Sequence, residues 1–102
     1  MAKRVTIWWR DIPSQVTVKK GRKSGKALLS ERFQEAIDKA AMRAGKSTTD
    51  EYLEDWRREE QEVDGDLQTL ADAEAARLEA AYSDDDLTQL IRQQGRAQPA
   101  DH

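Results

Sequence analysis

Residues 21–26, Gly-Arg-Lys-Ser-Gly-Lys, are the stretch whose residue types most openly invite chemistry. Glycines interleaved with cations are how a chain cradles phosphate: backbone N–H groups approach closely and a lysine neutralises charge. The Walker arrangement needs four residues between its glycines and Ser or Thr after its lysine. Here three residues separate Gly21 from Gly25, and Ala27 follows Lys26. The nucleotide-loop reading fails on that spacing. Two readings remain: a solvated turn joining a strand to a helix, or a basic contact surface for phosphate, nucleic acid or an acidic protein.

Trp8-Trp9 is the second conspicuous feature. Adjacent residues of a strand point to opposite faces. If Trp9 packs inward, Trp8 is directed outward beside Arg10 and near Lys19, where an aromatic ring flanked by cations suits a partner anchor or a base-stacking platform. The other reading covers Trp8 with the later helices, through Tyr52 or Trp56.

Little else is equipped for catalysis. The chain has no Cys, and its one His is the terminal residue, His102. Thiolate metal sites, iron–sulfur ligation, cysteine nucleophiles and a Ser/His/Asp set are thereby excluded. Acid–base work falls to carboxylates, Lys or Tyr, and no pair of these sits in a pocket-forming motif. Asp84-Asp85-Asp86 and the 59–62 run Glu-Glu-Gln-Glu lack the spacing of an ion-binding loop, so capping and solvation account for them. Glu74 falls inside an apolar stripe and is read as a paired carboxylate, with Arg57 or Arg58 as its partner, or as facing another chain. No enzyme activity, cofactor or metal is expected.

The charges are segregated. Residues 1–46 carry twelve Lys/Arg and four Asp/Glu, whereas residues 47–102 carry five Arg and sixteen Asp/Glu; the whole chain is at -3. Either the acidic half folds back and neutralises the basic half, or the two halves meet different surfaces. No apolar run follows the basic start, no segment has the ~20 apolar residues of a membrane span, and no Asn is present to accept a glycan. A cytoplasmic protein of bacterial type is expected.

The elements that must position these residues follow from periodicity. Residues 4–12 read as a strand, with Val5, Ile7 and Trp9 on its apolar face. Residues 15–20 read as a second strand, with Pro13-Ser14 turning between the two. Residues 19–26 read as a basic loop. Ser30 is placed to cap a helix over 31–44, closed by Gly45, whose stripe of Phe33, Ile37, Ala40 and Ala44 covers the hairpin. Thr48-x-x-Glu51 is a capping-box pattern for a second helix reaching Glu62, with Tyr52, Leu53, Trp56 and Val63 as its apolar positions. Asp64-Gly65-Asp66 breaks the pattern. Leu67 to Tyr82 reads as a third helix, and Ser83-Asp84-Asp85-Asp86 caps a short fourth one that Gly95 closes.

The strings over 7–16, Ile-Trp-Trp-Arg-Asp-Ile-Pro-Ser-Gln-Val, and 29–38, Leu-Ser-Glu-Arg-Phe-Gln-Glu-Ala-Ile-Asp, are unusual. With Lys20-Gly21-Arg22-Lys23, the 41–45 string Ala-Met-Arg-Ala-Gly and Tyr52-Leu53-x-x-Trp56, they resemble the small bacterial virulence factor domain family, which includes a domain of conserved virulence factor C. The resemblance covers about residues 5–60. It implies a link to bacterial virulence and, from the neighbourhood of stand-alone family members, an accessory role beside folate and corrinoid one-carbon enzymes. It supplies no catalytic residues.

The expectation is therefore an α+β fold: an N-terminal antiparallel β-hairpin packed on an amphipathic helix, followed by two or three further helices. One small domain spans 1–95, with a basic hairpin-helix half over 4–46 and an acidic helical half over 47–95; 96–102 is a tail. Trp9, Val5, Ile7, Val16, Val18, Phe33, Ile37, Ala40 and Trp56 are the expected core. The expected role is that of an accessory or adaptor protein acting through a protein partner, with no membrane and no metal. Nucleic-acid binding is the alternative. The candidate contacts for either are Trp8, Arg10, Lys19, Lys20, Arg22, Lys23 and Lys26.

Overall fold

The computed structural model describes residues 2–45 and 53–96. Four strands, Ala2–Trp9 (β1), Ile12–Lys20 (β2), Lys23–Leu28 (β3) and Trp56–Val63 (β4), make one antiparallel sheet in the order β3-β2-β1-β4. Among the described residues three whole helices accompany it: Glu31–Arg43 (α1), Leu67–Ala81 (α2) and Asp84–Arg92 (α3). The class is α+β, with the N-terminal hairpin followed by α1 and further helices as expected.

The hairpin turns earlier than its proline suggests. Arg10 and Asp11 form the turn, Arg10 with φ 53, and Pro13 lies inside β2 opposite Trp8. The ladder slips by one residue between Ile7 and Trp8, a bulge that leaves Ser14 as the extra residue. A one-residue slip changes which faces meet. Beyond the bulge Val16 stands opposite Thr6 and Val18 opposite Arg4. The two valines therefore share a face with Thr6 and Arg4, not with Val5 and Ile7. Val16, Val18, Trp9 and Ile12 belong to the hydrophobic core. Val5 is buried as expected, whereas Ile7 is only half-buried, which corrects the expected core at that position.

Two expected elements are different in kind. The basic loop over 19–26 is mostly strand, with Gly21 and Arg22 as a tight turn and β3 running back along β2. Its sequence, Lys-Ser-Gly-Lys-Ala-Leu, lacks the β-branched residues that mark strands. It forms because β2 offers a free ladder and because Gly25 and Ala27 are small enough for α2 to lie close. The expected helix up to Glu62 is replaced over 56–63 by β4, which pairs with β1 from Ala2↔Val63 to Trp9↔Trp56. Glu and Arg favour helix in isolation, but the open edge of β1 gives every second backbone group a partner. The capping-box residues Thr48 and Glu51, and Tyr52, lie outside the described residues, as does the tail over 97–102.

α1 is as expected. Phe33, Ala36, Ile37, Ala40 and Ala41 are buried along one stripe, and the Phe33 ring meets Tyr82 edge-on at 5.7 Å. Ser30 occupies the N-cap position of α1 but makes no capping bond; its hydroxyl donates to Glu79 of α2 at 3.0 Å, tying the two helices together. Asp66 caps α2 by accepting from the Thr69 N–H at 2.9 Å. Ser83 and Asp86 form the capping box of α3, at 3.0 and 2.9 Å.

Candidate functional site

The fold separates the residues expected to act together. Lys19 pairs with Lys3 and Trp8 with Pro13, so the two ends are six residue steps apart along β2, roughly 20 Å of strand. Lys19, Lys20, Arg22, Lys23 and Lys26 gather at the β2–β3 hairpin. Trp8 and Arg10 stand at the far end of the sheet and do not join them.

At that far end the cation is consumed. Arg10 pairs with Asp55 at 3.2 Å, donates to the Gln94 carbonyl at 2.8 Å and lies 5.0 Å from the centre of the Trp9 ring; its side chain is 8% exposed. It is a structural clamp between the hairpin turn, β4 and the end of α3. Gly95, which follows α3, sits against Trp9 so closely that a Cβ there would lie 2.8 Å from the ring.

Trp8 is half-covered, and it faces the later helices; Tyr52, one of the residues expected to cover it, lies outside the described residues. It forms one wall of a groove of about 500 Å³ whose other lining includes Arg77, Leu78, Tyr82, Gln89 and Gln93 from α2, α3 and their flanks. The Arg57 guanidinium caps the ring at 5.0 Å. The indole Nε1 is buried without a hydrogen-bond partner among the described residues. Burial, with Asp11 adding to it, pushes the Tyr82 phenol above its ordinary value. The groove thus has aromatic walls and amide edges. Sequence reasoning gave Arg77, Gln89 and Gln93 no role, because nothing in a periodicity says which helix closes over Trp8.

The hairpin is the opposite case. Lys19, Lys20, Arg22, Lys23 and Lys26 are all exposed, and among the described residues none of these five side chains forms an ion pair. Elsewhere the acidic half does neutralise the basic half. Lys3 meets Glu60 at 3.2 Å, Arg4 meets Glu74 at 3.5 Å, and Arg32 meets Glu79 and Asp84 at 3.3 and 3.2 Å. Hydrogen bonding from Lys3 holds the Glu60 carboxyl below its ordinary range. Glu74 is paired as expected, but its partners are Arg77, at 2.6 Å, and Arg4 rather than Arg57 or Arg58. The Arg77 hydrogen bonds keep its carboxyl low against the opposing effect of burial. The five cations at the β2–β3 hairpin stay outside this neutralisation among the described residues.

The acidic runs are absorbed into structure. Asp86 caps α3 and Asp84 binds Arg32, while Glu59 and Glu60 lie on β4. No cluster of three metal-ligating side chains occurs among the described residues. No described helix is long and apolar enough to cross a membrane.

Among the described residues, a four-stranded antiparallel sheet with three helices and a cationic hairpin at one corner defines a small α+β protein. The family model described as Virulence factor matches residues 7–91, and the chain belongs to that family. The match runs on through α2 and most of α3, so these helices are part of the family domain and not an appendage to the 5–60 region. No curated protein and no solved structure matches the chain.

Proposed function

We propose that this member of the Virulence factor family is a non-enzymatic cytoplasmic accessory protein that docks an acidic surface of a protein partner through its β2–β3 hairpin. The observation that supports this reading is the gathering of five exposed cations at one hairpin, none of which forms an ion pair among the described residues, while Lys3, Arg4 and Arg32 of the same basic half are paired. Exposed charge held on a two-stranded hairpin speeds encounter with a surface of opposite sign and sets orientation. Single-stranded nucleic acid is less well served. Its bases need an aromatic platform beside the cations, and Trp8 lies at the other end of the sheet beneath Arg57.

The test is capture from native cytoplasm with the wild-type chain and with K20E/R22E/K23E, followed by mass spectrometry and nucleic-acid staining. A protein retained at low salt by the wild type and lost by the variant supports the reading. Co-purifying RNA or DNA, with log affinity for a single strand falling by ~3.5 per log unit of salt as five phosphate contacts would require, overturns it. So does turnover of a substrate by the purified chain alone.

A further inference from the structure

The two edges of the sheet are finished differently. At β3 the Gln68 side chain accepts from the Lys26 N–H at 3.3 Å and donates to the Lys26 carbonyl at 2.9 Å, while the α2 backbone packs onto Gly25. That edge is closed by the protein's own helix. At β4 no described strand pairs with the outer side, and residues 57–62 are exposed. An eight-residue open edge is a template for another strand unless its side chains forbid one.

The side chains of β4 forbid most partners and admit one. The run Arg57-Arg58-Glu59-Glu60-Gln61 is not of a single sign. Two copies of an antiparallel strand related by a two-fold axis must have that axis perpendicular to the sheet, because only then do facing residues share a face. One residue then faces its own copy, and residues equidistant from it face each other. With Glu59 on the axis, Arg58 faces Glu60 of the second copy, twice over, and Arg57 faces Gln61, twice over. Only Glu59 meets its like, and Arg57 of its own strand already neutralises it at 3.0 Å. Parallel in-register pairing would instead place every charge against its like. We infer that β4 pairs edge to edge with β4 of a second copy of this chain, antiparallel and centred on Glu59, joining two sheets into one of eight strands.

The chain has no Cys, so one introduced thiol reads the register directly. Facing residues of an antiparallel pair have Cα atoms about 4.5–5.5 Å apart, within disulfide reach. Copies of residue 57 would be roughly 13 Å apart along the strand. The experiment takes E59C, R57C and Q61C in the full chain under mild oxidation, with sedimentation of the wild type and of R58E up to roughly millimolar concentration. The expected result is a disulfide-linked dimer from E59C and not from R57C or Q61C. R58E, which sets Glu against Glu60 at both symmetric positions, should self-associate roughly tenfold or more weakly than wild type. Its circular dichroism melt confirms that the monomer is folded. A wild type that stays monomeric throughout, or equal cross-linking at all three positions, overturns the inference.

Discussion

Replacing Gly25 with alanine separates two accounts of the 19–26 segment by the sign of the effect. Were the segment a solvated loop, the substitution would leave stability unchanged or raise it by about 0.4–1 kcal/mol, since alanine restricts the unfolded chain more than glycine does. In the structure Gly25 is buried in β3 beneath the start of α2. A Cβ there would lie 2.6 Å from the Gln68 nitrogen, 2.7 Å from its Cα and 2.7 Å from the Leu67 carbonyl carbon. All three are backbone atoms, so no side chain can rotate aside, and α2 must retreat by about 1 Å to restore ordinary contact. Overpacking of this kind costs about 1–3 kcal/mol. The retreat also stretches the two Gln68–Lys26 hydrogen bonds, each contributing about 0.5–1.5 kcal/mol. The expected loss is about 2–4 kcal/mol. With a urea m-value of about 1–3 kcal/mol/M for a protein of this size, the midpoint should fall by roughly 1–2 M at unchanged slope. Gly21→Ala is the control. Its Cβ would meet nothing within 4 Å, but its φ of +61 lies in the left-handed region, so it should lose only about 1–2 kcal/mol. A midpoint for Gly25→Ala at or above that of the wild type would refute the packing of α2 on β3.

Two further outcomes follow from the core and its ion pairs. Phe33→Ala removes a fully buried ring that touches Tyr82, and should cost about 3–5 kcal/mol, a large part of the stability of a domain this size, seen as a collapsed or absent cooperative thermal transition. The Glu74 carboxyl is held below the ordinary value of 4.5 by Arg77, so the stability it contributes is complete above that value and is lost as pH falls below it. Glu74→Gln should therefore flatten the decline of denaturation midpoint with acid below pH 4.5, relative to wild type, in a pH series of urea melts.

The amino-acid sequence by itself determined the local elements whose signals are contiguous. The stripe of Phe33, Ile37 and Ala40, the break at Asp64-Gly65-Asp66 and the Ser83–Asp86 cap all rest on neighbours within one or two turns. The cations at 19–26 were likewise visible as a group, because a hairpin keeps sequence neighbours together. What the tertiary structure decided was pairing across distance. Trp56 to Val63 carries Trp and Val seven residues apart, a spacing that fits one face of a helix, yet it is a strand because β1 presents an unpaired edge. Lys-Ser-Gly-Lys-Ala-Leu has no strand propensity of its own and becomes β3 because β2 and α2 hold it. The bulge at Ser14 moved Val16 and Val18 to the face of Thr6 and Arg4, and no periodicity within a strand encodes its register to the next. The same physics parted Trp8 and Arg10 from the lysines. In sequence they are near neighbours of one hairpin, but extended strands carry the ends of a hairpin apart at about 3.3 Å per residue, so the turn and the tip become opposite ends of the molecule's sheet.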